Sequence, residues 1–241
     1  MKKEGFLSFI LFLGTLLYGQ EQFDTLFETE DLHVRISKTE STVFSPYFEN
    51  TSDISHISSK FDNFHRRSLA IEKYQIAFYK LNITIDSLDR IVALQNGKIL
   101  RLSPDESNDE HGYTLEKWFK KYNFLLFRVQ WFEGNNYFLL NTLTGEKTYV
   151  GGRVYFNPNG KFLLSVEDDI DANYCFNGFQ LFSVGNKGQL KKVWEYSPVW
   201  GPSHIKWIDN NRFVTKGYIY DRDWKIKTFF KDVEFNIPAK K

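Results

Sequence analysis

The chain has 241 residues, of which 42% are apolar and 25% are charged, with 31 basic residues against 30 acidic ones. This composition is typical of a folded globular protein with one large domain or two small ones, and it excludes a disordered tail, a collagen-like fibre and a disulfide-stapled miniprotein. The formal charge of +1 argues against a nucleic-acid partner, because phosphate recognition needs a concentrated basic stripe.

The N-terminal segment predicts export. Two lysines precede an apolar run over Phe6–Tyr18 that ends at Gly19, which is the pattern of a secretory signal peptide in residues 1–19. The run is too short to cross a bilayer comfortably as a helix, so we expect no transmembrane segment after cleavage; an uncleaved anchor is the alternative. Cys175 is the single cysteine, and an exported protein without an internal disulfide fits a periplasmic or secreted bacterial protein.

Residues 20–70 contain no recognisable repeat and are expected to form a first blade or closing strands. From residue 71 to residue 241, short apolar runs alternate with turn signals, and aromatic residues make up 18% of the chain, which suits pleated, half-buried surfaces. The repeat units are expected near residues 71–103, 113–150, 151–196 and 197–235.

Local patterns within these units predict particular elements. Tyr74–Tyr79 is predicted as a strand, Gln95-Asn96-Gly97 as a hairpin turn, and Leu115–Tyr122 as one or two helical turns. The turns at Asn159-Gly160 and Asn210-Asn211 lie about fifty residues apart, a period typical of propellers and repeat arrays.

Each unit is expected to be a four-stranded antiparallel meander. Such a sheet has two wet faces and cannot bury its aromatic side chains alone, so neighbouring units must stack on it. The sequence therefore predicts a mainly β fold, a small β-propeller of four or five blades, with an open β-meander or a sandwich as the alternative.

One unit also carries a family resemblance. Val154–Val166, with Asn157 and Asn159 where the family has Ser and Asp, followed by Gly178–Val184, resembles the repeat of the WD40-like bacterial β-propellers related to the TolB protein. The resemblance covers residues 122–230. It implies propeller blades and a ligand or partner at the narrow mouth of the ring, formed by loops such as 167–177 and 197–204.

Catalytic fingerprints are absent from the sequence. It contains no G-x-S-x-G elbow, no H-E-x-x-H motif, no Walker loop and no G-x-G-x-x-G motif, and no two of its five histidines have metal-binding spacing. We therefore expect a protein that is not an enzyme.

An acidic loop is the candidate metal site. Asp169, Asp171 and Asn173 have the spacing that opens a calcium loop, but Tyr174 stands where that loop needs Gly, and Gln180 stands where it needs Glu. A solvated loop without a cofactor is favoured, and Ca²⁺ is the alternative.

Aromatic residues near a proline-rich connection are the candidate binding residues. Trp194 and Trp207 are expected to fill the core. Trp200 is flanked by turn residues and is expected equally in the core or at the surface. Trp200, His204 and Tyr174 are the residues expected to bind a ligand or a partner.

The function expected from these features is that of an exported envelope or secreted protein, a non-catalytic binding or scaffolding module with a protein or glycan partner. One alternative is a secreted, glycan-directed hydrolase with two carboxylates at a propeller mouth. A second alternative is an envelope inhibitor or immunity-type protein.

Overall fold

The structure, a computed structural model, describes residues 25–29, 32–40, 63–105, 112–131 and 133–237. The predicted signal peptide lies outside these residues. In the part of the chain that is described, no helix is both long and apolar enough to cross a membrane. Strands dominate, which confirms the mainly β prediction.

The described part of the chain contains sixteen strands, one α-helix and two short 3-10 turns. In chain order they are β1 (Thr25–Thr29), β2 (Leu32–Thr39), α1 (Phe64–Phe78), β3 (Ile83–Asp86), β4 (Asp89–Ala93), β5 (Ile99–Leu102), β6 (Gly112–Phe119), a 3-10 turn (Lys120–Tyr122), β7 (Phe124–Gln130), β8 (Asn135–Asn141), β9 (Lys147–Val150), β10 (Arg153–Phe156), β11 (Phe162–Glu167), β12 (Gly178–Val184), a 3-10 turn (Asn186–Gly188), β13 (Leu190–Tyr196), β14 (Gly201–Trp207), β15 (Arg212–Tyr220) and β16 (Ile226–Asn236).

The strands form four antiparallel sheets. The first sheet is β3-β4-β5, the second is β6-β7-β8-β9, the third is β10-β11-β12-β13, and the fourth has the order β1-β2-β16-β15-β14. The second and third sheets are the predicted four-stranded meanders of consecutive strands. In the fourth sheet, β2 pairs with β16 from Thr39 opposite Phe230 to His33 opposite Asn236. The N-terminal segment therefore supplies strands that complete the last sheet.

Neighbouring sheets stack face to face in chain order, which gives a propeller-like array of individually open sheets. Three hydrophobic clusters fill the junctions between the first and second, second and third, and third and fourth sheets. In turn, these junctions contain Leu102 and Phe127, Phe124 and Leu163, and Phe179 and Phe213. The stacking buries apolar faces that a lone sheet would leave in water.

Asparagine side chains tie the hairpin turns of neighbouring sheets together at one end. The Nδ2 groups of Asn96, Asn141 and Asn157 donate to backbone carbonyl oxygens in a turn of the next sheet, at 2.9, 2.7 and 2.8 Å. Each of the three junctions thus has an asparagine link of this kind. Asn157 is buried and forms the link from the third sheet to the fourth.

The predicted strand at Tyr74–Tyr79 is wrong, since these residues end α1 and begin the turn that follows it. Asn63 caps this helix with its side-chain oxygen, which accepts the Arg66 N–H at 3.0 Å. The buried residues Ser68, Glu72 and Gln75 lie on one face of α1. Because that face is polar, the apolar pattern did not have a helical period.

The predicted helical turns at Leu115–Tyr122 are also wrong. Most of this segment belongs to β6, and only its last three residues form a 3-10 turn. The register with β7 shifts between Leu115 and Lys117, so Glu116 is an extra residue in the strand. A bulge breaks the two-residue alternation, which is why the pattern did not indicate a strand.

The turn between β15 and β16 holds a tryptophan in a strained conformation. Trp224 is 82% exposed and has φ 59°. Its N–H bonds to the Asp221 carbonyl, and the Asp221 N–H bonds to the Lys225 carbonyl, both at 3.0 Å. Glycine is the usual residue at this left-handed position of a three-residue hairpin loop.

We expect Trp224→Gly to raise the free energy of unfolding by about 0.5–1 kcal/mol, because glycine removes the Cβ clash at positive φ and the exposed ring adds little. Urea denaturation measures the change. Trp224→Ala is the matched control, since it removes the ring and keeps the Cβ. Equal effects of the two substitutions would contradict the strain argument.

Candidate functional site

Four connections meet at the end of the sheets opposite the asparagine-linked turns. They are the connection from β7 to β8 in the second sheet, residues 151–152 between the second and third sheets, residues 168–177 in the third sheet, and residues 197–200 between the third and fourth sheets. Antiparallel pairing brings strand ends together at this edge, for example Glu167 opposite Gly178. The loops expected to form a site, 167–177 and 197–204, lie side by side, because Asn177 in the first contacts Pro198 in the second. The second is shorter than expected, since residues 201–204 belong to β14.

Asp169 organises the longest of these connections. Its carboxylate accepts backbone N–H groups from Ala172, Tyr174 and Cys175 at 3.2, 2.7 and 2.5 Å. A short polar side chain that accepts nearby backbone N–H groups closes a loop without help from regular structure. The loop therefore presents Tyr174 in a defined position.

Two hydrogen bonds fix this loop to its neighbours. The Asn135 N–H donates to Cys175 Sγ at 3.2 Å, which joins the second sheet to the loop. Asn177 Nδ2 donates to the Pro198 carbonyl at 2.8 Å, which joins the loop to the connection before β14. The end of the molecule is thus held together across three sheets.

The three residues of the candidate calcium loop differ in their contacts and backbone conformation. Asp169 binds backbone N–H groups, Asp171 Oδ2 accepts the Tyr220 hydroxyl at 2.8 Å, and Asn173 takes a left-handed turn conformation at φ 56°. Within the described residues, no group of three or more His, Cys, Asp or Glu side chains converges to hold a metal ion. A calcium site in this loop stays a prediction.

A pocket of about 270 Å³ opens at this end between the second and third sheets. It is lined by Trp131, Asn135, Asn136, Tyr149, Val150, Gly151, Tyr174, Cys175, Phe176 and Gln180. Most of these residues come from strand ends and from the Asp169-organised loop, so the stacking of the two sheets creates the pocket.

The pocket lining combines aromatic residues with amides, and the Tyr149 ring lies beside Phe138 on the face of the second sheet that packs toward the first. Tyr149 and Tyr174 are 51% and 55% exposed, and Trp131 and Phe176 are half-buried. Of the described residues, none that lines the pocket carries a charge. Asn135 Oδ1 is buried and has no hydrogen-bond partner. Aromatic walls with a few polar groups are typical of small-molecule sites.

Two glycines allow aromatic side chains to lie against the backbone in this pocket. A Cβ on Gly134 would stand 2.2 Å from Trp131 Nε1, and a Cβ on Gly151 would stand 2.3 Å from Phe176 Cδ1. Both distances are far shorter than a non-bonded contact, so any other residue would displace the rings. The pair of glycines therefore sets the shape of the lining.

Ionisable side chains form a second feature beside the pocket. Glu116 Oε1 lies 3.0 Å from Arg128 Nε, and Arg153 is close enough to lower the pKa of Glu116, of Glu167 and of Asp168. Burial has the larger, opposite effect and raises the pKa of all three carboxyl groups. We call Glu116, Arg128, Arg153, Glu167 and Asp168 the ionisable cluster.

Glu167 is the most perturbed acid of the ionisable cluster. Burial raises its pKa to about 7 from the usual 4.5, with Asp168 and Asp169 adding to the rise, and its Oε2 atom is buried without a hydrogen-bond partner. The folded protein therefore holds this proton more tightly than the unfolded chain does. The contribution of Glu167 to stability is full below about pH 4.5 and is lost as the pH rises through about 7.

We expect Glu167→Gln to gain stability relative to the natural protein between pH 4.5 and pH 8, by up to about 3 kcal/mol, because glutamine has no charge to desolvate. Urea denaturation at several pH values measures the difference. Glu133→Gln removes an exposed carboxylate at the same end and controls for net charge. A difference that stays constant with pH would contradict the raised pKa.

The structure separates the three predicted binding residues. Tyr174 lies on the pocket rim. Trp200 is only 8% exposed and packs edge-on against Phe179 and Phe229, so the exposed position that ligand stacking would need is corrected to a core position. His204 is half-buried on β14, where burial and nearby positive charges lower its pKa.

Sequence reasoning missed most of the pocket lining and most of the ionisable cluster. The signal that pointed to Trp200 was an aromatic residue beside turn residues. The same signal is present at Trp131, next to a turn containing Gly134, and at Phe176, at the end of the acidic loop. No spacing in the chain brings Arg153 to Glu116, since that approach depends on how the second and third sheets stack.

Comparisons with known proteins add little to this geometry. No family model matches the chain, and no curated protein matches it. A crystal structure of a protein from Lactobacillus plantarum matches 61% of this chain and 67% of that chain, with 14% sequence identity and a TM-score of 0.27. The description of the fold therefore rests on the sheets themselves.

Proposed function

We propose that the protein is an exported, non-catalytic binding module of the bacterial envelope or of the secreted fraction, and that its ligand lies in the pocket between the second and third sheets. The observation that carries the proposal is the lining, in which the aromatic residues Trp131, Tyr174 and Phe176 and three amides surround about 270 Å³. Such a lining provides contact area and hydrogen bonds, which are the requirements of binding.

We also propose that the sheets are WD40-like repeats of the TolB-related type. The stacked meanders and the contact between the turns of Asn157 and Asn210 support this, because the family repeat has its turn at the same place. Fold likeness alone does not give a ligand. The binding proposal therefore depends on the pocket and not on the family.

We expect Tyr174→Ala and Trp131→Ala each to abolish or strongly weaken pocket binding, since each removes one aromatic wall. A ligand-observed NMR screen of neutral, acidic and basic fragments against the mature chain measures this. Tyr79→Ala, which removes an exposed tyrosine at the end of α1, is the matched control and is expected to keep every fragment signal. Fragment signals that survive both pocket substitutions would contradict the proposal.

A glycan-directed hydrolase is the second candidate, and Glu167 is the observation that favours it. A carboxyl group with a pKa of about 7 and a buried oxygen without a partner suits a general acid, and Asp168 is the adjacent carboxylate. Release of reducing sugar ends from cell-envelope glycans, lost in Glu167→Gln, would favour this candidate over the binding module.

A further inference from the structure

The geometry points to a second copy of this chain as the partner of the pocket between the second and third sheets, with the ring of Trp224 as the group that enters it. This inference rests on the proposed binding function and names its partner. It follows from a projecting aromatic hairpin and an aromatic pocket, which lie at the same end of the molecule and have complementary charge around them.

The hairpin that joins β15 and β16 projects beyond the fourth sheet. β15 continues for two residues past Tyr218, which lies opposite Gly201, the first residue of β14. In this hairpin, Trp224 is 82% exposed and Ile226 is 59% exposed. Large apolar side chains that a fold presents to solvent at a projecting tip are typical of contact sites.

The hairpin holds the Trp224 ring in a fixed position at a steric cost. Asp221 Oδ1 accepts the N–H groups of Asp223 and Lys225 at 2.9 and 3.0 Å, and Trp224 itself has φ 59°. The centroid of the Tyr220 ring lies 6.0 Å from that of Trp224. Strained backbone conformations are common where a side chain is needed in one place, and an anchor that is ordered in advance loses little entropy on binding.

The hairpin and the pocket lie at the same end of the molecule. The Tyr220 hydroxyl donates to Asp171 Oδ2 at 2.8 Å, which places the hairpin beside the loop 168–177, and Tyr174 of that loop lines the pocket. Two patches on one end face can meet reciprocally when a second copy is rotated by 180° about an axis midway between them. Each hairpin of such a dimer reaches the pocket of the other copy, so the dimer contains two identical contacts.

The pocket has the shape and the lining for an indole ring. Its volume of about 270 Å³ is larger than an indole ring and lies just below the range of about 300–1,000 Å³ that is usual for drug-sized ligands. Trp131, Tyr174 and Phe176 line it, and aromatic rings attract one another in edge-to-face and offset arrangements. Tryptophan is enriched among the residues that contribute most to interfaces, and such residues lie in pockets of the partner.

The charges around the two halves of this contact are complementary. Residues 167–177 at the pocket rim contain four acidic side chains and no basic one, and Arg153 offsets part of this charge. The hairpin contains three basic side chains, Arg222, Lys225 and Lys227, against two acidic ones. Opposite charges of this kind favour encounter and fix the orientation of partners. Because one chain carries both halves, a second copy supplies everything that the contact needs.

Sedimentation equilibrium of the mature chain tests the inference. We expect a monomer–dimer equilibrium with Kd on the order of 10 μM, as suits a small reversible interface, and a larger Kd at higher salt. Trp224→Ala is expected to weaken the dimer at least about 100-fold, because each dimer loses two anchors. Phe78→Ala removes an exposed aromatic ring from α1 and is the matched control, which is expected to leave Kd unchanged.

A mixture of two variants tests whether Trp224 meets the pocket or another hairpin. Trp224→Ala keeps the pocket and Tyr174→Ala keeps the hairpin, so a mixed dimer has one intact contact, whereas a dimer of either variant has none. We therefore expect the mixture to associate at least about tenfold more tightly than either variant alone. Both side chains are exposed, so neither substitution is expected to disturb folding, and far-UV circular dichroism verifies this.

Three results would overturn the inference: a chain that stays monomeric at about 1 mM, a dimer that survives Trp224→Ala, and a mixture no tighter than its components. The fragment screen of the proposed function separates the two proposals. If fragments bind in the pocket while the chain stays monomeric, the binding module stands with another partner; if no fragment binds to that monomer, both proposals fall. Where the dimer forms, a fragment that occupies the pocket is expected to dissociate it.

Discussion

Arg90→Met is expected to lower the free energy of unfolding by about 3–5 kcal/mol, because it leaves the Glu72 carboxylate buried without its counter-charge. Arg90 Nε and Nη2 donate to the two Glu72 oxygens at 2.7 and 2.8 Å, and both side chains are buried. This pair joins α1 to the first sheet. Glu72 Oε1 also accepts the Leu115 N–H at 3.0 Å, so the same carboxylate joins α1 to the second sheet.

Two companion variants test whether the loss of stability in Arg90→Met comes from the buried charge of Glu72. In Glu72→Gln combined with Arg90→Met, the buried charge is gone and the amide oxygen still accepts the Leu115 N–H, so we expect most of the lost stability to return. Arg101→Met removes an exposed ion pair with Asp89 and is expected to cost about 0–1 kcal/mol. Urea denaturation measures all three, and a similar loss in the single and the double variant would contradict a charge effect.

The turns of this fold could be predicted from sequence because their chemistry is local. Gly97, Gly145 and Gly160 have φ values of 82°, 81° and 72°, and each lies in a hairpin turn that the sequence marked with Gly and Asn, Thr or Pro. Glycine adopts positive φ without a steric penalty, so the signal does not depend on the rest of the molecule. The strands could then be predicted as the segments that join such turns.

The helix and the bulged strand could not be predicted because tertiary contacts decide them. The buried face of α1 carries Ser68, Glu72 and Gln75, and these side chains are satisfied by β4, β6 and β7. Without those partners, the face looks like a solvated surface. At Glu116, the bulge places an acid beside Arg128, which no alternation of apolar and polar residues predicts.

The residues of the candidate site also divide into those whose position local sequence predicts and those whose position depends on tertiary contacts. The surface position of Tyr174 could be predicted because Tyr174 lies in a polar loop, and such loops stay at the surface. Trp200 has a similar local sequence but packs against Gly217 of β15. A Cβ on Gly217 would stand 2.8 Å from Trp200 Cε3, so the glycine leaves the space that the Trp200 ring occupies. Trp131 gained its place in the pocket from Gly134 and from the neighbouring sheet. Sheet stacking therefore decides which of two similar tryptophans can meet a ligand.

Phe179→Ala is expected to lower the free energy of unfolding by about 3–5 kcal/mol, because it opens a cavity where the third and fourth sheets meet. The ring is fully buried, and its centroid lies 5.7 Å from that of Trp200, 5.9 Å from that of Phe213 and 6.1 Å from that of Trp194. Total stabilities are about 5–15 kcal/mol, so the loss is a large share of the whole. Urea denaturation with an unchanged slope measures it.

Phe78→Ala provides the matched control for the stacking of the sheets. Phe78 is exposed at the end of α1, so the same truncation is expected to change the free energy of unfolding by about 0.5 kcal/mol or less. A large difference between the two phenylalanines requires that Phe179 lies between sheets and not on a solvated face. If both substitutions had the same small effect, the third and fourth sheets would not share a core, and the pocket built by the same kind of stacking between the second and third sheets would lose its basis.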